Sequence, residues 1–65
     1  MKDIIILVPV YNDAECAKIL CGHPAFSQIS HRISSVIIVD DGSDYFDFDK
    51  TAYEFPVEII TLRAN

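Results

Sequence analysis

Ile4-Ile5-Ile6-Leu7-Val8-Pro9-Val10-Tyr11-Asn12-Asp13 opens the chain, and Val36-Ile37-Ile38-Val39-Asp40-Asp41-Gly42-Ser43-Asp44 follows the same plan. Each is an unbroken aliphatic run, rich in β-branched residues, that stops abruptly in a polar cluster. A run that does not alternate with polar residues suits a strand covered on both faces, as in parallel sheets flanked by helices. Val57-Glu58-Ile59-Ile60-Thr61-Leu62 is a third such run, with one charged interruption.

Roughly 25 residues separate the first two runs, enough for a helical crossover between parallel strands. Asn12 or Asp13 is placed to cap that helix, residues 14–20 tolerate it, and Gly22 with Pro24 ends it near Cys21. Residues 25–29 supply a further short helical piece, anchored by Phe26 and Ile29 at i, i+3. In the second connection Ser43 offers a cap, and Tyr45, Phe48, Ala52 and Phe55 fall at i, i+3, i+7, i+10, one helical stripe. Phe and Tyr are mediocre helix formers and aspartates intervene, but the spacing predicts a helix there. Pro56 then leads into the third strand.

The pattern is β-α-β-α-β, half of a doubly wound α/β sheet. It predicts three parallel strands near residues 3–9, 35–40 and 57–62, in order 3-2-1, with the second strand central. Right-handed crossovers place both helices on one face. The strands are apolar on both faces, Ile4, Ile6 and Val8 alternating with Ile5 and Leu7 in the first, and the face without helices has nothing in this chain to cover it. Several hundred Å² of exposed aliphatic surface exceeds what soluble monomers usually tolerate, so a homo-oligomer through the uncovered face is expected.

Sixty-five residues make at most one small domain, and a chain of this size buries only about 60% of its unfolded surface. A hydrophobic content of 51% excludes a disordered chain. The net charge of −5 and five scattered basic residues argue against nucleic acid or an anionic membrane as the main partner. No apolar run approaches the roughly 20 residues of a membrane helix. The basic start, long apolar region and cleavage site of a signal peptide are missing too, so a cytoplasmic protein is expected. Cys16 and Cys21, with His23 nearby, fall short of the ligand set of a zinc site and read as reduced cysteines packed as small hydrophobes.

Ligands of open α/β sheets bind at the carboxyl ends of the strands, where both polar clusters fall. Tyr11 offers a flat ring on which a base can stack. A carboxylate at Asp40 or Asp41 can accept from a base N–H or from ribose hydroxyls, and Gly42 permits a positive φ or a close backbone approach. Taken singly, each cluster is ordinary chemistry, Asp-Gly-Ser a turn and Asn-Asp a helix cap. Their occurrence together, at matching strand ends, points to a nucleoside pocket. His23 and His31 lie away from those ends and read as surface residues.

The strand ending Pro9-Val10-Tyr11-Asn12, followed by Val39-Asp40-Asp41-Gly42-Ser43, resembles the opening of family 2 glycosyltransferases, and Arg63-Ala64-Asn65 is similar to their R-x-N segment. The resemblance covers nearly the whole chain. It implies a partial Rossmann-like unit of the GT-A fold, with residues 1–65 as the incomplete N-terminal nucleotide-binding half of a domain. The activity implied is transfer of a sugar from a nucleotide donor, commonly a UDP-sugar, to an acceptor. By that resemblance Pro9 and Tyr11 line the base, Asp41 accepts from its N–H, Asp40 supports the loop or the ribose, and Gly42 and Ser43 complete the nucleotide-binding set. Glu15 faces either the nucleotide or solvent.

The family's D-x-D motif, which binds Mg or Mn on the diphosphate, and its catalytic base are expected beyond these residues. This segment alone is therefore expected to be inactive, with neither a catalytic nor a metal-binding residue. Asp47-Phe48-Asp49 matches the D-x-D letters ahead of the motif's position, and on a helix its two acids would point about 200° apart. A different class of reading is a stand-alone nucleotide-binding or self-assembling α/β module without catalysis. A receiver-like phospho-acceptor domain fits less well, because its later lysine and five-stranded sheet are missing.

Overall fold

The computed structural model describes residues 1–43 and 46–62. Asp44 of the second polar cluster, Tyr45 of the aromatic stripe and the Arg63-Ala64-Asn65 segment lie outside the described residues. The three aliphatic runs form strands β1 (Ile4–Val10), β2 (Ile33–Asp41) and β3 (Val57–Leu62). All pair in parallel, in the order β1-β2-β3 with β2 central. Matched rows cross the sheet: Ile6, Val36 and Val57, then Val8, Ile38 and Ile59, then Val10, Asp40 and Thr61.

β2 starts at Ile33, two residues before the expected start at 35 and three before the aliphatic run. Its first residue, Ile33, is fully buried, but Ser34 and Ser35 are weak strand formers and mask the start. The register shifts there: Ile4 pairs with Ile33 and Ile5 with Ser35, leaving one extra residue on β2.

In the first connection, α1 (Ala14–Cys21) is capped by Asp13, whose carboxylate accepts from the Cys16 N–H at 2.9 Å. Asn12 does not cap it. It takes φ 49° instead, a left-handed conformation that Asn tolerates better than most residues. The Gly22 N–H donates to the Lys18 carbonyl, and a Cβ at Gly22 would lie 3.1 Å from that oxygen. α2 (Pro24–Gln28) follows, with Pro in its first turn and His23 as cap, its Nδ1 accepting from the Ala25 N–H at 3.0 Å. Phe26 and Ile29 pack on the core as their spacing suggested.

The second connection is not helical over the described residues 46–56. Phe46, Phe48, Tyr53 and Phe55 form a ladder of stacked rings, with successive centroids 5.8, 5.5 and 5.6 Å apart. Phe26 meets the Phe55 end edge-on at 6.0 Å. Two features override the helical spacing. Phe46/Phe48 and Tyr53/Phe55 are pairs two residues apart, which an extended chain turns to one side. Between them the Asp49 carboxylate accepts from the Thr51 N–H and hydroxyl at 3.0 and 2.6 Å, a local turn that competes with helix.

Helix and ladder cover the same side of the sheet. There the core gathers Val8, Val10, Ala17, Cys21, Ile33, Val36, Ile38, Phe55 and Val57. No described element covers the opposite side: Ile5 and Leu7 are 62% and 66% exposed, Ile60 and Leu62 48% and 46%.

At the strands' amino ends, Arg32 donates through Nε and Nη2 to Asp3 at 3.1 and 2.7 Å. That hydrogen bonding, more than charge alone, lowers the Asp3 pKa, and the Thr51 bonds lower that of Asp49. Both folded-state values lie below the ordinary 3.8. The stability they contribute is therefore present above that value and lost as pH falls through the folded values. Urea unfolding between neutral pH and about pH 2 should show this acid limb, and Asp3→Asn should flatten it. Phe55→Ala, which empties the contact between ladder and core, should cost about 3–5 kcal/mol. That is enough to lose the cooperative transition seen by circular dichroism in so small a domain.

Candidate functional site

Val10 and Asp40 are register partners, so the segments after them leave the sheet side by side at its carboxyl end. Asp40 is only 2% exposed, and a buried carboxylate is costly unless it is hydrogen-bonded. Its Oδ1 accepts from the Ser43 N–H at 3.2 Å and from the Ser43 hydroxyl. The Ser43 Oγ in turn accepts from the Asn12 N–H at 2.7 Å. Gly42, at φ 76°, turns the chain back so that Ser43 reaches both. One carboxylate and one hydroxyl therefore tie together two loops that are distant in sequence.

The candidate residues divide by role. Asp40 and Ser43 face inward and hold the loops, and Gly42 makes the turn. Pro9, Tyr11 and Asp41 are left exposed at the same end of the sheet, with Tyr11 at 63%. Alternation along the strands places Pro9 and Asp41 on the bare side, while Asp40 points to the core side. Glu15 is exposed in the first turn of α1. An exposed ring and an exposed carboxylate on braced loops can stack on a flat base and accept from its N–H. The Ser43 bridge went unread in the sequence, because nothing in Asp-Gly-Ser shows whether the serine faces solvent or the neighbouring loop.

Elsewhere, a cavity of about 300 Å³ is lined by Cys21, His23, Ser27, Tyr53, Glu54 and Phe55, among others. It lies beside the start of β3, and none of the strand-end candidates lines it. Burial pushes the Cys21 thiol and the Tyr53 hydroxyl up from their ordinary values, so both stay protonated at neutral pH and neither is an activated nucleophile. Cys21 is packed as expected, whereas Cys16 is exposed. Both histidines are exposed.

Asp47 and Asp49 sit in the non-helical connection, so the helical argument against their convergence does not hold. Each has a different partner: Asp49 holds Thr51, and Asp47 lies 4.0 Å from the Lys18 ammonium of α1. Among the described residues no three His, Cys, Asp or Glu side chains are grouped to hold a metal ion. No described helix is long and apolar enough to cross a membrane. Comparison with family models, with curated proteins and with solved structures returns no match.

Ser43→Ala removes the acceptor for Asn12 and a donor for a buried carboxylate, and should cost about 1–3 kcal/mol. Amide exchange at Asn12 should speed up with it, while the amides of β2 and β3 change only by the global loss.

Proposed function

We propose that the chain is the N-terminal nucleotide-sugar-binding segment of a family 2 glycosyltransferase, a partial Rossmann-like unit of the GT-A fold. Its ligand is the nucleoside end of a donor such as a UDP-sugar. The observation that carries this reading is the Asp40–Ser43–Asn12 bridge. It joins the loops of the two motifs and leaves Tyr11 and Asp41 exposed on them. In this reading Tyr11 stacks on the base, Pro9 borders it, and Asp41 accepts from its N–H. Asp40 acts through Ser43, setting the loop rather than touching the ligand, and Gly42 allows the loop its turn.

Residues 9–13 and 40–43 contain no lysine or arginine, so the grip is on the nucleoside and not on the diphosphate. The reading assigns the diphosphate, its Mg or Mn and the catalytic base to residues other than these. Binding by this segment alone is then weak and catalysis absent. The bare sheet face favours the second reading, a self-assembling α/β module without catalysis.

Titration of the isotope-labelled chain with UDP, followed by amide NMR, separates the two. The first reading expects shifts concentrated at Tyr11, Asp41 and Gly42, stronger for UDP than for ADP. Tyr11→Ala and Asp41→Ala should each weaken binding about fivefold or more, since stacking and a charge-assisted hydrogen bond are each worth at least about 1 kcal/mol. No shifts, or an affinity unchanged from that of the unmodified chain in both variants, would reject the nucleotide pocket.

A further inference from the structure

Asp41 belongs to a row that crosses the sheet. Its register partner on β3 is Leu62, the last residue of that strand and an exposed one. On its other side, Tyr11 follows Val10, the partner of Asp40, and so comes level with Asp41 at the end of β1. One row back lie Pro9, Val39 and Ile60. A single exposed leucine is ordinary on a protein surface. This one flanks the carboxylate that the nucleotide reading gives to the base, opposite the ring it gives to stacking.

We propose that Leu62 is a further ligand-contacting residue of the candidate site, the second wall of a slot that takes the base edge-first between itself and Tyr11. The inference rests on the nucleotide reading and adds a residue and a base orientation that the reading leaves open. β1 and β3 are two strand spacings apart, about 9–10 Å. A flat ring in van der Waals contact on both faces needs about 7–8 Å between the atoms that flank it. The row therefore holds one base standing on edge. Asp41 fixes which edge. A base N–H lies in the plane of its ring, and donor, hydrogen and acceptor must be nearly in line. The Asp41 carboxylate rises from the central strand between the two walls, so only a base on edge points its N–H down at it. In uracil that N–H lies between the two carbonyls, and the methyl that makes thymine sits on the half of the ring turned to the mouth. The slot therefore takes uracil and thymine nucleotides alike. Cytosine presents an unprotonated ring nitrogen in the same place, acceptor against acceptor, and is refused. Leu62 carries no polar group, so it governs how firmly the base is held and not which edge it shows.

Methyl NMR of the whole chain titrated with UDP tests it. The Leu62 methyl signals should move with ligand, while those of Leu7, two rows back and about 13 Å away along the strands, should stay in place. This readout needs no variant to fold. Leu62→Ala should weaken UDP binding about three- to tenfold, and Leu62→Met, which keeps an apolar wall, should stay within about twofold of the unmodified chain. Leu7→Ala, the same truncation outside the slot, should also stay within about twofold. Ribothymidine diphosphate should bind within about twofold of UDP, and CDP at least about tenfold more weakly. Suppose UDP binding falls in Tyr11→Ala and Asp41→Ala but is unchanged in a folded Leu62→Ala chain whose parent shows no movement of the Leu62 methyls. The slot is then overturned and the nucleotide reading stands. Ribothymidine diphosphate binding more than about tenfold below UDP would overturn the edge-first orientation in the same way. No binding of UDP to the unmodified chain overturns both.

Discussion

A carboxylate with almost no access to water sits at the carboxyl end of the central strand, and the rest of the site depends on how it is satisfied. Asp40 lies on the core side, one row beyond Ile38. Its position forces a donor to come to it, and Ser43 supplies two. Because the Ser43 hydroxyl also accepts from Asn12, satisfying one buried group fixes the path of both loops. The left-handed backbone at Asn12 and Gly42 follows from that closure, since each loop must turn sharply to bring its polar atoms within reach. Exposed Tyr11 and Asp41 inherit their positions from a bond that neither makes.

The sheet also depends on how the second connection covers it. A helix there would place a rigid rod over β2 and β3. Four stacked rings do the work instead, with Phe55 as the member driven fully into the core. Edge and face contacts between rings are favourable beyond simple area burial, so the ladder is a coherent surface and not a loose loop. It seals one side only.

Much of this was legible from residue type alone. The aliphatic runs marked three parallel strands, because no alternation was present and the connection between the first two was long enough for a crossover. Gly22 and Pro24 marked the end of α1. What was not legible depended on contacts between distant segments. The spacing of Tyr45, Phe48, Ala52 and Phe55 fits a helix, and that of Phe46, Phe48, Tyr53 and Phe55 fits an extended ladder; the Asp49–Thr51 turn and packing against Phe26 and the core decide. The serines at 34 and 35 hid the start of β2 because its pairing comes from β1, not from propensity. At the candidate site the residue types were visible, but the division between those that brace and those that face solvent was not.

The all-parallel arrangement has a consequence in time as well as in space. A hairpin can zip from its turn, but every strand pair here joins segments separated by a full connection, with Ile4 finding Ile33 and Val36 finding Val57. Loop closure must therefore precede any sheet contact, and its entropy is lost before hydrogen bonds reward it. Among the described residues the local structure able to form early is a pair of short helices and a few turns, too short to persist alone. On leaving the ribosome, the aliphatic β1 strand has no pairing partner until β2 has been made. Until then both of its edges are unpaired, and pairing with β2 closes only one of them.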